Sequence, residues 1–284
     1  MSEHEKEFPS KNTKSNEKNQ IFTDDNDDNI PENIKEIIIK DSKILPKFWI
    51  DKYKNETCKN WDLFYRRNTT KFFKNRNWIG REFIELNESS SQKIVLELGC
   101  GVGNFLFPVL ESNSNLFIYA CDFSKRAIDF VKLNQKYDEK RCKAFVCDLT
   151  KDSLSQYIIN DKIDIVSAIF VFSAMPPENH LNVIKNIAEV TKPGSVVCFR
   201  DYALYDETQL KFSNSKSNKL QDNLYVRQDG TLSYFFSKKY LKETFESNSL
   251  FKNIDMEYVY RETINRAKSL CVERRFLQAK FIRL

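Results

Sequence analysis

The stretch Glu97-Leu-Gly99-Cys-Gly101-Val-Gly103-Asn104 limits what this chain can fold into more than any other. It follows a short apolar run at residues 94–98 and opens a helical pattern. Glycines at three alternate positions let the backbone turn sharply and approach a ligand with no Cβ in the way. A strand that feeds a helix through such a turn is the first unit of an open α/β sheet, with its ligand beyond the carboxyl ends of the strands. The turn alone does not name that ligand, because several nucleotide-binding folds share it.

The rest of the chain extends this pattern. Apolar runs at 94–98, 116–121, 144–147, 163–172 and 195–199 read as strands, and the amphipathic segments 124–133 and 179–190 read as helices between them. Such alternation predicts parallel strands covered by helices on both faces. A long insertion follows at 203–237, then a helix from 238 to about 246. The β-like runs 256–261 and 276–283 are expected to form an antiparallel edge of the same sheet. The domain reading is therefore an open α/β domain at 93–284 with its insertion at 203–237. Ahead of it, residues 44–92 are aromatic and basic, with Trp61, Phe64 and Tyr65 on one helical face. They read as a helical cap that buries aromatics on the main domain and lends some of them to a pocket. Residues 1–43 are rich in Asn, Lys, Glu, Asp and Ser and are read as a disordered extension, since little burial is on offer to offset ordering.

That division matters for charge. Residues 1–43 hold 7 of the 45 Lys and Arg and 11 of the 40 Asp and Glu, so the body carries 38 against 29 and is more basic than the total of +5. A basic body is compatible with a polyanionic partner, although many soluble enzymes are as basic. The seven cysteines are odd in number and form no CxxC pair, which reads as a reduced, intracellular protein without structural zinc or other metal. No apolar run is long enough to span a bilayer, and the N-terminus has neither a signal core nor the acid-poor character of a presequence. The expected location is the cytoplasm, with or without the nucleus, and no membrane partner is expected.

Two further strand ends sharpen the ligand. Asp122 closes the second strand 19 residues after Gly103, where a carboxylate can accept both hydroxyls of a ribose. Asp148-Leu149 closes the third, where an acid and an apolar side chain can hold the edge and face of an adenine. Each Asp alone reads equally well as a helix cap or turn residue. Acids at three successive strand ends point to one bound nucleoside. The spacing is GxGxG, not the GxGxxG of dinucleotide folds. Glu97 suits a cationic sulfonium or its amino group, and a pyrophosphate gains nothing from it. S-adenosylmethionine is the expected cofactor, with its methionine carboxylate near the helix N-terminus and S-adenosylhomocysteine as product.

The methyl acceptor is less legible. None of the cysteines follows a proline, as a cytosine-C5 nucleophile usually does. The segment after the fourth strand, Phe172-Ser-Ala-Met-Pro-Pro-Glu178, lacks the (Asn/Asp)-Pro-Pro-aromatic turn common in adenine-N6 enzymes. An acceptor that already has a lone pair remains, or an unrelated substrate. The fifth strand ends Phe199-Arg200-Asp201-Tyr202, on the substrate side of the sheet. Arg200 and Asp201 there can form a structural ion pair or hold a base edge. The insertion mixes Lys211, Lys216, Lys219 and Arg227 with Tyr225, Tyr234, Phe235 and Phe236, which suits a splayed RNA loop and suits a solvated lid with core aromatics as well.

With these stretches in place the sequence resembles the methyltransferase-like tRNA 3-methylcytidine enzymes. The resemblance covers about residues 47–284. It is carried by Asn60-Trp61-Asp-Leu-Phe-Tyr65 with Arg67-Asn-Thr-Thr70 after it, by Glu97 to Asn104, Ala120-Cys-Asp122-Phe-Ser, Cys147-Asp-Leu-Thr-Lys151, Phe199-Arg-Asp-Tyr202 and Tyr225-Val-Arg-Gln-Asp-Gly-Thr-Leu-Ser-Tyr-Phe-Phe236. It implies a class I S-adenosylmethionine-dependent methyltransferase fold with a mainly parallel seven-stranded sheet. It implies cofactor contacts at Trp61, Tyr65, Gly99, Asp122, Asp148, Leu149 and Ile169, beside the Glu97 and Gly101 read above. Its entry motif is similar to the branch acting on serine tRNAs, where the other branch has a His. The implied substrate is then N3 of the anticodon-loop cytidine (position 32 in tRNA numbering), with seryl-tRNA synthetase as partner. Arg66, Phe72, Phe73, Lys74, Arg76, Arg227 and Tyr234 are the expected tRNA contacts. Asp201 is expected to face the base and stabilise its developing charge, and Arg200 to hold O2 or a phosphate. A methyltransferase of proteins or small molecules and a non-catalytic RNA-binding subunit are the other readings that the fold allows. The Asn-rich N-terminus is not explained by the resemblance.

Overall fold

The computed structural model describes residues 31–284 apart from 88–89, 160–161, 216–217 and 266–269. Its centre is a seven-stranded sheet in the order β3-β2-β1-β4-β5-β10-β9. The first five strands are β1 (Lys93–Leu98), β2 (Leu116–Asp122), β3 (Cys142–Val146), β4 (Ile163–Ile169) and β5 (Thr191–Tyr202). They run parallel because their near-continuous apolar runs are buried on both faces, and Val95, Leu96, Ile118, Ala120 and Val166 are all fully enclosed. β9 (Phe251–Asn265) and β10 (Leu270–Arg283) make the antiparallel edge. The strand order reverses between β1 and β4, and a crevice opens over their carboxyl ends, as doubly wound sheets dictate.

Among the described residues the helices are α1 (Glu32–Lys40), α2 (Lys47–Asn55), α3 (Thr57–Asn68), α4 (Ile79–Glu82), α5 (Leu106–Ser112), α6 (Lys125–Lys132), α7 (His180–Val190), α8 (Glu207–Asn214) and α9 (Lys238–Glu246). Ser124 caps α6, its Oγ accepting from the Ala127 N–H at 3.2 Å. The short strands β6 (Lys219–Gln221), β7 (Leu224–Val226) and β8 (Leu232–Tyr234) form a second sheet.

Three expectations are corrected. The fourth strand was expected to reach residue 172 but ends at Ile169, because Phe170 turns into the left-handed region at φ +57° while its N–H bonds the Arg200 carbonyl at 2.8 Å. β9 and β10 outrun the expected 256–261 and 276–283, since the charged residues along their ribbon hide the apolar alternation. Of the two readings left open for the insertion, burial favours the lid with core aromatics: Tyr225, Phe235 and Phe236 are at most 1% exposed and Tyr234 is 5% exposed. The disordered reading of 1–43 fails at its end. Ile34 and Ile38 lie one turn apart on α1, which packs on α8, and Asp41 is buried where it accepts the Tyr225 hydroxyl at 2.8 Å. The Asp41 carbonyl also accepts from Lys219 Nζ at 2.8 Å, so this lysine ties the end of the 1–43 segment to the insertion. Residues 1–30 lie outside the described residues.

Candidate active site

Two adjoining chambers lie over the strand ends and share Trp61, Tyr65, Gly99, Phe170 and Ala174. The first, of about 550 Å³, is lined by Asp122, Asp148 and Leu149 from the ends of β2 and β3. The second, of about 470 Å³, is lined by Glu97, Gly101 and Ile169, then by Ser173, Arg76, Tyr202, Arg227, Arg274 and Phe276. All nine residues expected around a cofactor therefore converge on one double cavity.

The backbone at the glycines admits nothing larger. Gly99 has φ +58°, and a Cβ there would stand 2.6 Å from Val171 Cγ2. Gly101 has φ +55°, and its Cβ would meet the Tyr65 hydroxyl at 2.8 Å. The main chain can thus approach a ligand closely at the mouth of β1. Asp122 is held still by the same turn. Its Oδ2 accepts the Gly101 N–H and its Oδ1 the Ser124 N–H, both at 2.9 Å. Burial pushes its pKa up to about 6. Each oxygen retains a lone pair, which matches the paired hydroxyls of a ribose. Asp148 is half-buried; burial acts to raise its pKa, but bonds from Thr150 and Lys151 hold it below the usual range.

Glu97 provides the test of fit. It is 4% exposed, burial raises its pKa well above the usual range, and Arg76 acts in the opposite sense. Its Oε2 has no hydrogen-bond partner among the described residues, and neither has the Trp61 Nε1. A buried carboxylate oxygen without a donor is costly unless a ligand completes it. The amino group of S-adenosylmethionine is a cationic donor of the right kind, so the residues present fit this cofactor. Glu97→Gln is expected to weaken S-adenosylhomocysteine binding by about 1.5–3 kcal/mol, the range for a hydrogen bond to a charged group. Titration calorimetry checks this, and an unchanged affinity takes Glu97 out of the site.

The expected substrate residues divide. Arg66 is exposed in the last turn of α3 and Phe72 is exposed just after it, while half-buried Phe73 and exposed Lys74 reach the wall of the second chamber. Arg76 and Arg227 line the second chamber, their guanidinium groups over the rings of Phe170 at 4.9 Å and Tyr202 at 5.4 Å. Tyr234 is corrected: it packs edge-on against His180 and Phe236 in the core and presents nothing to RNA. Of the other cations noted in the insertion, Lys219 is buried, Lys211 pairs with Glu207 along α8, and Lys216 lies outside the described residues.

Arg200 and Asp201 are corrected too. Neighbours on a strand point to opposite faces, so they make no pair. Arg200 is 3% exposed, stacked 4.4 Å from the Trp78 ring and 3.6 Å from Glu82, outside both chambers. Asp201 is fully enclosed, with Oδ2 accepting the Ser173 N–H and Oδ1 the Tyr202 N–H at 2.9 Å each. It faces no base. It fastens the turn after β4 to the end of β5. The residues that do face the second chamber at this end are Tyr202, Arg274 and Phe276. Arg274 is held by Asp206 at 2.8 Å, with its guanidinium 5.5 Å from the Tyr202 ring and 5.3 Å from that of Phe276. Nothing local in the sequence marks Arg274, although β10 pairs Phe276 directly with Tyr202.

Among the described residues no cluster of His, Cys, Asp and Glu could hold a metal, and no helix is long and apolar enough to cross a membrane. A family model described as a methyltransferase domain matches residues 96–197. A solved S-adenosylmethionine-dependent methyltransferase from Anabaena variabilis ATCC 29413 superposes with a TM-score of 0.59 at 11% identity, over 80% of this chain and 95% of that one. The 1,6-didemethyltoxoflavin-N1-methyltransferase of Burkholderia thailandensis, solved with S-adenosylhomocysteine bound, gives 0.56 at 14% identity, over 81% and 90%. These show the fold. Much nearer in sequence is the tRNA N(3)-cytidine methyltransferase METTL6 of Homo sapiens, 50% identical over 248 residues and 86% of both chains. The tRNA N(3)-methylcytidine methyltransferase trm141 of Schizosaccharomyces pombe (strain 972 / ATCC 24843) is 46% identical over 244 residues, 84% of this chain and 98% of that one. The chain belongs to the tRNA N(3)-cytidine methyltransferase family. Its sheet is accordingly a class I S-adenosylmethionine-dependent methyltransferase domain, and S-adenosylmethionine is its cofactor.

Proposed function

We propose that this family member methylates N3 of the anticodon-loop cytidine, position 32, of serine tRNAs, and that seryl-tRNA synthetase delivers the substrate. The observation that carries the base assignment is the second chamber. It joins the first through Trp61, Tyr65 and Gly99, is walled by Phe170, Tyr202 and Phe276, and is rimmed by Arg76, Arg227 and Arg274. A flat aromatic slot with donors at its mouth takes a stacked base and its phosphates. N3 lies on the pairing edge, so the base has to be unpaired and extruded to enter, which favours a loop.

S-adenosylmethionine supplies a methyl group on a sulfonium centre. Cytosine N3 carries a lone pair at neutral pH, so the protein need not remove a proton from it. The chamber residues then orient the base and exclude water, and rate comes from positioning and electrostatics. Positive charge passes to the base as N3 is methylated, and the ring faces of Phe170, Tyr202 and Phe276 offset it. The Asn60–Tyr65 entry motif supports the serine branch. The cytoplasm, with or without the nucleus, is the compartment in this reading, which the free thiols of Cys58, Cys100, Cys121, Cys142, Cys147 and Cys198 support.

The test is a methylation time course on purified serine tRNA and on other tRNAs with a cytidine at the same place, with and without seryl-tRNA synthetase, read by nucleoside mass spectrometry. Expected is 3-methylcytidine in the serine tRNA, formed much faster with the synthetase, because tethering raises the local substrate concentration. Equal rates with and without it overturn the partner, and absence of 3-methylcytidine overturns the substrate.

A further inference from the structure

A third cavity, of about 670 Å³, adjoins the second chamber. Trp78, Phe170 and Phe276 line both, so the two spaces meet across these rings. The remaining residues around the third cavity are all charged: Arg81, Glu82, Arg200 and Arg261. Three guanidinium groups thus face one carboxylate. That carboxylate is shared, because Glu82 lies 3.6 Å from Arg200 and also pairs with Arg261. Arg200 is 3% exposed, and its Nε has no hydrogen-bond partner among the described residues. Its Nη1 donates to the neutral amide of Gln278 at 3.2 Å, and the next acid, Glu257, bonds that amide in turn at 3.3 Å. A buried cation that shares its counterion leaves a positive field in the cavity. Arg81, on α4, is exposed and makes no side-chain hydrogen bond or ion pair among the described residues. Arg261, on β9, is half-exposed and has donors to spare beyond Glu82.

We propose that the third cavity binds the backbone phosphodiester next to the extruded cytidine, with Arg81 and Arg261 as its contacts and the buried Arg200–Glu82 pair as a charged floor. The inference rests on the second chamber being the base slot. A strand whose base fills that slot must leave it past the rim, and beyond the shared rings of Trp78, Phe170 and Phe276 it meets unpaired guanidinium groups. Guanidinium is suited to the paired oxygens of a phosphate. An acidic protein segment is the other anion of this kind, but it has no reason to lie beside the base slot. A grip on the neighbouring phosphate helps offset the unstacking that extrusion costs. It carries no sequence information, so it positions the loop and leaves selection of the tRNA to other contacts.

The experiment pairs a deletion on the enzyme with a deletion on the RNA. Serine tRNA is assembled with one neutral methylphosphonate linkage, either 5′ or 3′ of the target cytidine, and compared with the all-phosphate tRNA. Single-turnover methylation is measured over a range of concentrations of the full chain, with and without seryl-tRNA synthetase. Arg81→Ala is expected to lower methylation efficiency about tenfold on the all-phosphate tRNA, the size of one charge-assisted hydrogen bond, and to lower it no further on one of the two methylphosphonate tRNAs. Arg81→Lys should recover most of the loss, and S-adenosylhomocysteine affinity should stay at the wild-type value in both. Arg261→Gln repeats the cycle from β9 and should lose its effect on the same linkage. An Arg81→Ala factor that is equal on all three tRNAs, or absent from all, overturns the inference. A factor seen only with the synthetase present overturns it in favour of an acidic protein partner. A wild-type enzyme that leaves the all-phosphate tRNA unmethylated is a separate failure, that of the substrate assignment, and shows before any variant is compared.

Discussion

Asp122→Ala is expected to weaken S-adenosylhomocysteine binding by roughly 2–4 kcal/mol, about 30- to 1000-fold, because two ribose hydroxyls lose a charged acceptor. The loss has a second source. Asp122 also accepts the Gly101 and Ser124 N–H groups, so its removal loosens the glycine turn that the cofactor rests on. Asp122→Asn separates the two contributions, since an amide oxygen retains one acceptor and carries no charge. The pH dependence follows from the raised pKa of about 6. Cofactor affinity is expected to be flat above pH 6 and to fall by up to tenfold per unit below it, as the free carboxyl takes up the proton that the ribose displaces. The slope should vanish in Asp122→Asn. Fold stability responds in the opposite sense. A carboxyl raised from 3.8 to about 6 disfavours the ionised fold by about 3 kcal/mol at neutral pH. That penalty is absent below pH 3.8 and complete once the pH has risen through 6, and Asp201, raised to about 6 as well, adds the same trend. Calorimetry between pH 5 and pH 8 tests both, and an affinity that ignores pH and the alanine substitution removes Asp122 from the site.

The cofactor end of the site was legible because apolar runs set the strands and acids end them. Glu97, Asp122 and Asp148 need only that rule to fall together. The substrate end failed on parity. Asp201 shares a face of β5 with Phe199, two residues away and fully buried, while Arg200 shares the other face with Tyr202. An Arg-Asp step invites a pairing that the pleat forbids. The alternation did hold the answer, since an apolar residue two positions before an acid places both toward the core. The insertion stayed open for another reason. Its aromatics follow neither a period of 2 nor of 3.6 over any length, so interleaved Lys and Tyr suit an RNA loop and a lid with core aromatics alike, and the inward rings of Tyr225, Tyr234, Phe235 and Phe236 favour the second. Arg274 is fixed by a carboxylate 68 residues away and had no local signal at all.

That distant carboxylate carries the other large effect. Asp206 is fully buried and accepts four donors: Arg274 through Nε at 2.8 Å and Nη2 at 3.0 Å, the Arg275 N–H at 2.9 Å, and the Thr208 N–H at 2.9 Å, where it also caps α8. It thereby joins the insertion to β10, which lies between β5 and β9, and aims Arg274 across the second chamber. Asp206→Ala leaves Arg274 with no counterion and two backbone donors with no acceptor. Breaking a buried pair from one side costs about 3–5 kcal/mol, and the midpoint of urea unfolding should fall accordingly. Replacing both members behaves differently. Asp206→Asn combined with Arg274→Gln keeps an acceptor for the backbone donors and buries no net charge, so most of the stability should return. Methylation should not return with it, because the chamber still lacks the guanidinium stacked on Tyr202 and Phe276. Stability regained without turnover is the outcome that assigns Arg274 to the substrate. Turnover regained along with stability would leave Arg274 a strut of the fold, and a wild-type unfolding midpoint in Asp206→Ala would remove the network from the account of stability altogether.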